Sequence, residues 1–194
     1  MLCVSEQIPQ CPGYVFMGWT DAPADRIVTY NPGEQVREPK DLDLYAVWRS
    51  QDALPETLRI RQAPDKLTYI KGDALDTAGM VLEYVYAGGA GYRITEGFAV
   101  EGYDPDLCET QTLTVTYQDL RTTYQVQVLD HVPGDMDGNR LVDRDDVMQL
   151  LWHITFPDMY PLDVPADFTA DGKLDRDDVM QLLWHITFPE LYPL

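Results

Sequence analysis

Two acidic runs near the end of the chain, DMDGNRLVDRDD (135–146) and DFTADGKLDRDD (167–178), have a spacing suited to holding a metal ion. Set as twelve-residue loops, each places oxygen-bearing side chains at positions one, three, five, nine and twelve. In the first loop these are Asp135, Asp137, Asn139, Asp143 and Asp146; in the second, Asp167, Thr169, Asp171, Asp175 and Asp178. Position seven adds a backbone carbonyl, from Leu141 and from Lys173. A chain curling round one ion turns alternate side chains inward, then needs a carboxylate from the incoming helix to close the shell. Carboxylates roughly 4 Å apart repel by about 1–4 kcal/mol per pair, so an empty loop of this kind is poorly ordered. A hard divalent cation with six or seven oxygen ligands reverses that balance, and calcium fits better than magnesium, which demands a tighter octahedron. The competing reading of one such run is a solvated acidic turn. Two runs in register with a repeated downstream sequence favour two calcium ions.

The elements that must position these loops are equally legible. DRDDVMQLLWHITFP occurs at 143–157 and again, unchanged, at 175–189. Val147, Leu150, Leu151 and Ile154 fall on one helical face, and Val179, Leu182, Leu183 and Ile186 repeat it. Pro157 and Pro189 mark the stops, and FPDMYPL (156–162) and FPELYPL (188–194) are expected to fold back over the helices. Arg144, Asp145, Met148, Gln149 and Trp152 lie off the buried stripe, as do Arg176, Asp177, Met180, Gln181 and Trp184. His153 and His185 sit at matched positions and read as helix-surface or capping residues, since calcium disfavours imidazole.

Upstream, the patterning is β. PGYVFMGW (12–19) reads as a strand after a turn, with Tyr14, Phe16 and Gly18 on one face and Val15, Met17 and Trp19 on the other. LDLYAVW (42–48) reads as a second strand. LEYVY (82–86), LTVTY (113–117) and TYQVQV (123–128) predict further strands, with AGGAGY (87–92) as a glycine-rich turn. Several short strands separated by turns indicate an antiparallel sandwich. The expected bounds are a small β module over 1–50, a β-sandwich over 54–130 and a helical module over 131–194.

Three resemblances attach to these segments. PGYVFMGW…YNPGE…LYAVW, within about 2–48, resembles the Listeria–Bacteroides repeat, a small β-grasp-like module of bacterial surface proteins. It begins partway through that repeat, so the chain is expected to be the C-terminal piece of a longer protein. LRIRQAPDKLTYIKGDALDTAGMVLEYVY with LTVTYQDLRTTYQVQV resembles a bacterial immunoglobulin-like module, a spacer or support. GDMDGNRLVDRDDVMQLLWHITFP and ADFTADGKLDRDDVMQLLWHITFP resemble a type I dockerin over about 134–194.

That last resemblance implies two EF-hand-like calcium loops, a compact pair of antiparallel helices, and binding to a cohesin module on a scaffold outside the cell, as in a cellulosome. Carried over by position, Arg144, Asp145, Arg176 and Asp177 become recognition candidates, with Met148, Trp152, Met180 and Trp184 as apolar anchors. The alternative, less favoured, is that the two tryptophans cover each other's helix. If they do meet a partner, the duplication presents one surface twice, in orientations related by about 180°. Two departures stand out: Arg140 occupies position six, where positive φ favours the glycine found at Gly172, and Thr169 replaces the usual acid or amide at position three.

Composition narrows the function. Fourteen basic against thirty-three acidic residues leave a charge of −19, which excludes the basic footprint of a nucleic-acid binder. No apolar run is long enough for a membrane span, and the first residues have neither the basic nor the apolar region of a signal peptide. Cys3, Cys11 and Cys108 are an odd number, which argues against a disulfide framework; Cys3 and Cys11 remain a possible pair. Neither serine lies in G-x-S-x-G, and no cysteine has a marked base, so no catalytic residue is expected. The reading is therefore a non-catalytic, extracellular assembly fragment binding a cohesin, and polysaccharide only through the parent protein. The alternative is a calcium-dependent adhesin whose β modules bind carbohydrate or a host surface.

Overall fold

The computed structural model describes residues 2–37 and 43–194; it is mostly β, with two short helices towards the end. The chain divides into two compact units. One comprises Met1–Thr68, Ala74–Asp104 and Thr110–Gln127; the other comprises Tyr69–Asp73, Pro105–Glu109 and Val128–Leu194.

The first unit opens with β1 (Leu2–Cys3), β2 (Tyr14–Thr20), β3 (Ile27–Val28), β4 (Gln35–Val36) and β5 (Tyr45–Ser50). β1 pairs with β4 and β2 with β5, both antiparallel. The strand expected over 42–48 starts at Tyr45; Leu42 lies outside the described residues. Simple alternation along β2 is corrected by a β-bulge. Phe16 faces Trp48 and Gly18 faces Val47, so Met17 is the extra residue. The bulge resets the faces, and Phe16 and Trp19, expected on opposite sides, meet edge-on with ring centroids 5.1 Å apart. Gly18 is required there, because a Cβ would stand 2.5 Å from a Val28 methyl.

The chain continues through β6 (Pro55–Gln62), β7 (Thr68–Ile70), β8 (Val81–Tyr86), β9 (Gly91–Ile94), β10 (Ala99–Glu101), β11 (Thr110–Tyr117) and β12 (Leu120–Leu129), with Tyr69 and Ile70 of β7 and the last two residues of β12 counted in the second unit. One four-stranded sheet has the order β3–β9–β8–β6, the other β10–β11–β12–β7. All pairings within the first are antiparallel except β3 with β9, where Ile27 lies opposite Gly91. β3, for which no strand was expected and which lies within the 1–50 segment, thus pairs with a strand from 54–130. The inward residues follow the expected alternation: Leu113, Val115, Tyr124 and Val126 are buried. Tyr84 bridges the two layers, its ring 5.5 Å from Tyr117 and its hydroxyl donating to Gln118 Oε1 at 2.9 Å. Burial and its aromatic neighbours hold the Tyr84 phenol above its ordinary pKa range. Glu83 is buried on the same strand and ion-paired to Arg59 at 2.7 Å.

The second unit contains α1 (Arg144–Thr155) and α2 (Arg176–Thr187), identical in sequence. Its core is Met136, Val147, Leu150, Ala166, Val179 and Leu182, with Leu151, Ile154, Leu183 and Ile186 packed against it, so both apolar stripes are buried together. Among the described residues no helix is long and apolar enough to cross a membrane. All three cysteines are free and exposed.

Candidate metal centre

Each helix begins on an aspartate that belongs to an acidic loop. Asp143 caps α1 and Asp175 caps α2; each side chain accepts the N–H two residues on, from Asp145 at 2.8 Å and Asp177 at 2.9 Å. The third helical residue reaches back: Asp146 Oδ2 accepts the Asp143 N–H at 2.7 Å, and Asp178 Oδ2 the Asp175 N–H at 2.9 Å. These are capping boxes. Loop positions nine and twelve are therefore the cap and third residue of each helix, and the favourable end of the helix dipole faces the acids.

The remaining oxygen of Asp146 turns into the first loop, accepting the Met136 N–H at 2.7 Å and the Asp137 N–H at 3.3 Å. Asp135 accepts the N–H groups of Gly138 at 2.8 Å and Asn139 at 3.2 Å on Oδ1, and of Arg140 at 2.8 Å on Oδ2. Asp135, Asp137 and Asp146 each bring a carboxylate oxygen to within 4.8 Å of the others. Asp146 is wholly buried and Asp135 is 3% exposed. Among the described residues neither is ion-paired to a Lys or Arg side chain. A buried carboxylate without a counter-charge is costly, so this donor set fits a hard cation.

The second loop keeps part of this plan, around an Asp167 that is exposed where Asp135 is buried. Asp167 accepts the N–H groups of Asp171 at 3.2 Å and Gly172 at 2.9 Å, and Asp178 Oδ1 accepts the Thr169 N–H at 3.0 Å. Where the first loop has the Asp137 carboxylate, the Thr169 hydroxyl lies 3.1 Å from Asp178 Oδ1 and 3.4 Å from Asp167 Oδ1. Burial alone would raise the Asp178 carboxyl. The N–H groups of Asp175, Thr169 and Phe168 and the Thr169 hydroxyl outweigh it and hold the group below the ordinary carboxylate range.

Not every expected ligand converges. Asn139 Oδ1 is occupied by the Leu141 N–H at 2.7 Å, and Asp171 Oδ1 by the Lys173 N–H at 2.8 Å. Asp143 and Asp175 are turned onto their helices, a placement compatible with reaching an ion through water. Leu141 and Lys173 can contribute only backbone, and the Lys173 ammonium lies 3.9 Å from Asp171 Oδ2.

The loops also share a backbone feature that the sequence reading placed only at position six. Positions four and six both have positive φ: Gly138 (78°) and Arg140 (69°) in the first loop, Ala170 (56°) and Gly172 (81°) in the second. Each loop thus has one glycine and one strained residue, in opposite order.

Along the helices, Arg144, Asp145, Met148 and Trp152 are exposed on α1, and Arg176, Asp177, Met180 and Trp184 on α2. Trp152 and Trp184 are each 41% exposed and lie against Tyr160 and Tyr192, with centroids 5.3 and 5.1 Å away. The segments after the helices do fold back: His153 Nδ1 is 2.7 Å from the Tyr160 carbonyl, and His185 Nδ1 is 2.8 Å from that of Tyr192. A carbonyl only accepts, so Nδ1 carries the proton in each. The two histidines, expected as helix-surface or capping residues, thus hold the returning segments.

No curated protein sequence matches the chain. A solution structure of a candidate surface protein aligns at 27% identity over 40% of this chain and 90% of its own, with a TM-score of 0.26. Residues 62–128 match the bacterial Ig-like domain (group 3) family, which accounts for most of the sandwich.

Proposed function

We propose that this chain is a non-catalytic assembly fragment whose last part, residues 134–194, binds two calcium ions and offers a duplicated surface to a cohesin-type partner. The observation that carries the reading is the convergence of Asp135, Asp137 and Asp146, two of them buried with no Lys or Arg ion pair among the described residues, in a loop whose copy keeps part of the same hydrogen-bond plan. Bound calcium would supply the missing positive charge and draw the loop oxygens together. Asp135, Asp137 and Asp146 would hold one ion, with Asn139, the Leu141 carbonyl and Asp143 completing its shell. Asp167, Thr169 and Asp178 would hold the other, with Asp171, the Lys173 carbonyl and Asp175. The caps at Asp143 and Asp175 then fix the first turn of each helix.

The recognition surface in this reading is Arg144, Asp145, Met148 and Trp152 with their counterparts Arg176, Asp177, Met180 and Trp184. Matching tryptophan exposure in the two copies supports their equivalence, and tryptophan and arginine are common interface anchors. The Ig-like match at 62–128 supports a place outside the cell or on its surface, with that segment as spacer. Calorimetric titration of calcium into metal-free protein, with circular dichroism in parallel, tests the reading. Uptake of two ions with rising helical signal supports it, and a panel of type I cohesins then tests the partner; absence of uptake sinks it.

A second reading, a calcium-dependent adhesin, draws support from a cleft of about 420 Å³ in the first unit. Its lining combines Met17, Val28 and Tyr92 with the polar Asn31, Glu34 and Arg93, a mixture suited to a sugar. Glycan binding that survives loss of both Asp146 and Asp178 would favour it.

A further inference from the structure

Arg140 breaks the pattern of its own loop. At the corresponding place the second loop has Gly172, for which a positive φ carries no side-chain penalty. Arg140 takes the same conformation, φ 69°, against steric resistance. A residue held in a sparsely populated region points to something gained there. What Arg140 gains is a two-pronged contact within the second unit: Nη1 donates to Asp73 Oδ1 at 3.1 Å and Nη2 to the Lys71 carbonyl at 3.0 Å. The turn it grips is itself tied down. Asp73 Oδ2 accepts the Ile70 N–H at 3.1 Å, the Lys71 N–H donates to the Leu129 carbonyl at 2.8 Å, and the Gly72 N–H donates to the Pro105 carbonyl at 2.9 Å.

The other end of Arg140 is fastened to the metal centre. Its backbone N–H donates to Asp135 Oδ2 at 2.8 Å, so whatever fixes Asp135 also fixes the φ of Arg140 and the aim of its guanidinium. We propose that Arg140 is a positioning residue that couples occupancy of the first loop to the order of the Lys71–Asp73 turn; the proposal rests on the calcium reading above. With the acids uncompensated, their repulsion loosens the loop, Arg140 relaxes out of the left-handed region, and the guanidinium releases Asp73. With the charge compensated, Asp135 holds Arg140 in place and the turn is gripped. The second loop, with Gly172, has no side chain to do this.

The test is amide hydrogen exchange at Lys71 and Gly72 in the full chain, with calcium and with chelator. The variants are Arg140→Gly, which adopts the required φ without strain, and Asp73→Asn, which keeps an oxygen for the Ile70 N–H. In the unmodified protein calcium should slow exchange at these amides on the order of tenfold. In either variant the slowing should fall below about twofold, with two ions still taken up. Equal slowing in the variants, or none in a calcium-loaded unmodified protein, overturns the coupling alone. Failure of the unmodified protein to take up calcium overturns the calcium reading, and this proposal with it.

Discussion

Gly138 and Ala170 occupy the fourth position of the two loops and both adopt positive φ, at 78° and 56°. Only one of them does so without a steric cost. Ala170→Gly should therefore stabilise the second unit by about 0.5–1 kcal/mol, the relief of left-handed strain exceeding the added chain entropy. Gly138→Ala should lose a similar amount. A Cβ there meets nothing within 4 Å, so the loss is conformational alone. Urea unfolding in excess calcium would read both, and opposite signs for the pair are the expected outcome.

The two centres should not bind equally. The first gathers three carboxylates, whereas the second substitutes a neutral hydroxyl at Thr169 and keeps an ammonium beside Asp171. Calcium titration should resolve a tight and a weaker class of site. Thr169→Asp should tighten the weaker class on the order of tenfold. Identical sites, or no response to that change, would refute the ranking.

Trp152 and Trp184 stand at the same exposure, each backed by a tyrosine. If both copies present one surface, Trp152→Ala or Trp184→Ala alone should weaken cohesin binding only a few-fold. The double variant should lose on the order of 2 kcal/mol or more. Calorimetry against a bound cohesin distinguishes this from a single-sided interface, in which one of the two changes abolishes binding.

In the sandwich, Glu83 is nearly inaccessible while its partner Arg59 is largely exposed. Among the described residues, Arg59→Ala leaves the buried carboxylate with Arg61, 3.8 Å away, as its ion-pair partner, and should cost about 1–3 kcal/mol. Glu83→Met removes the buried charge and frees an arginine already in solvent, so it should change stability by less than about 1 kcal/mol. Thermal unfolding of the two variants gives the order directly.

The helices and acidic loops were legible because both follow local periods: 3.6 residues for the buried stripe, and alternation closed by an acid at position twelve for the loop oxygens. Val147, Leu150, Val179 and Leu182 are buried as that period requires. The strands around Leu113 and Val126 were legible from alternation. Met17 was not, because a bulge has no pattern of its own and is set by the partner strand. The pairing of Ile27 with Gly91 joins residues distant in sequence, which no local window contains. Positive φ at Ala170 is likewise imposed by the loop, against the preference of the residue. Asp143 and Asp146 could have been read twice, since D-x-x-D before an apolar run is also a helix start.

That double use of Asp143 and Asp146 bears on how the helices first form. Beginning a helix is the slow, unfavourable step, because several residues must be fixed before the first hydrogen bond is made. Here the residues that would surround an ion are the ones that set the first turn, so loop closure and helix nucleation are one event. Each twelve-residue helix, marginal in isolation at that length, carries its own starting point in the loop before it. The repeat therefore duplicates a folding origin as well as a surface.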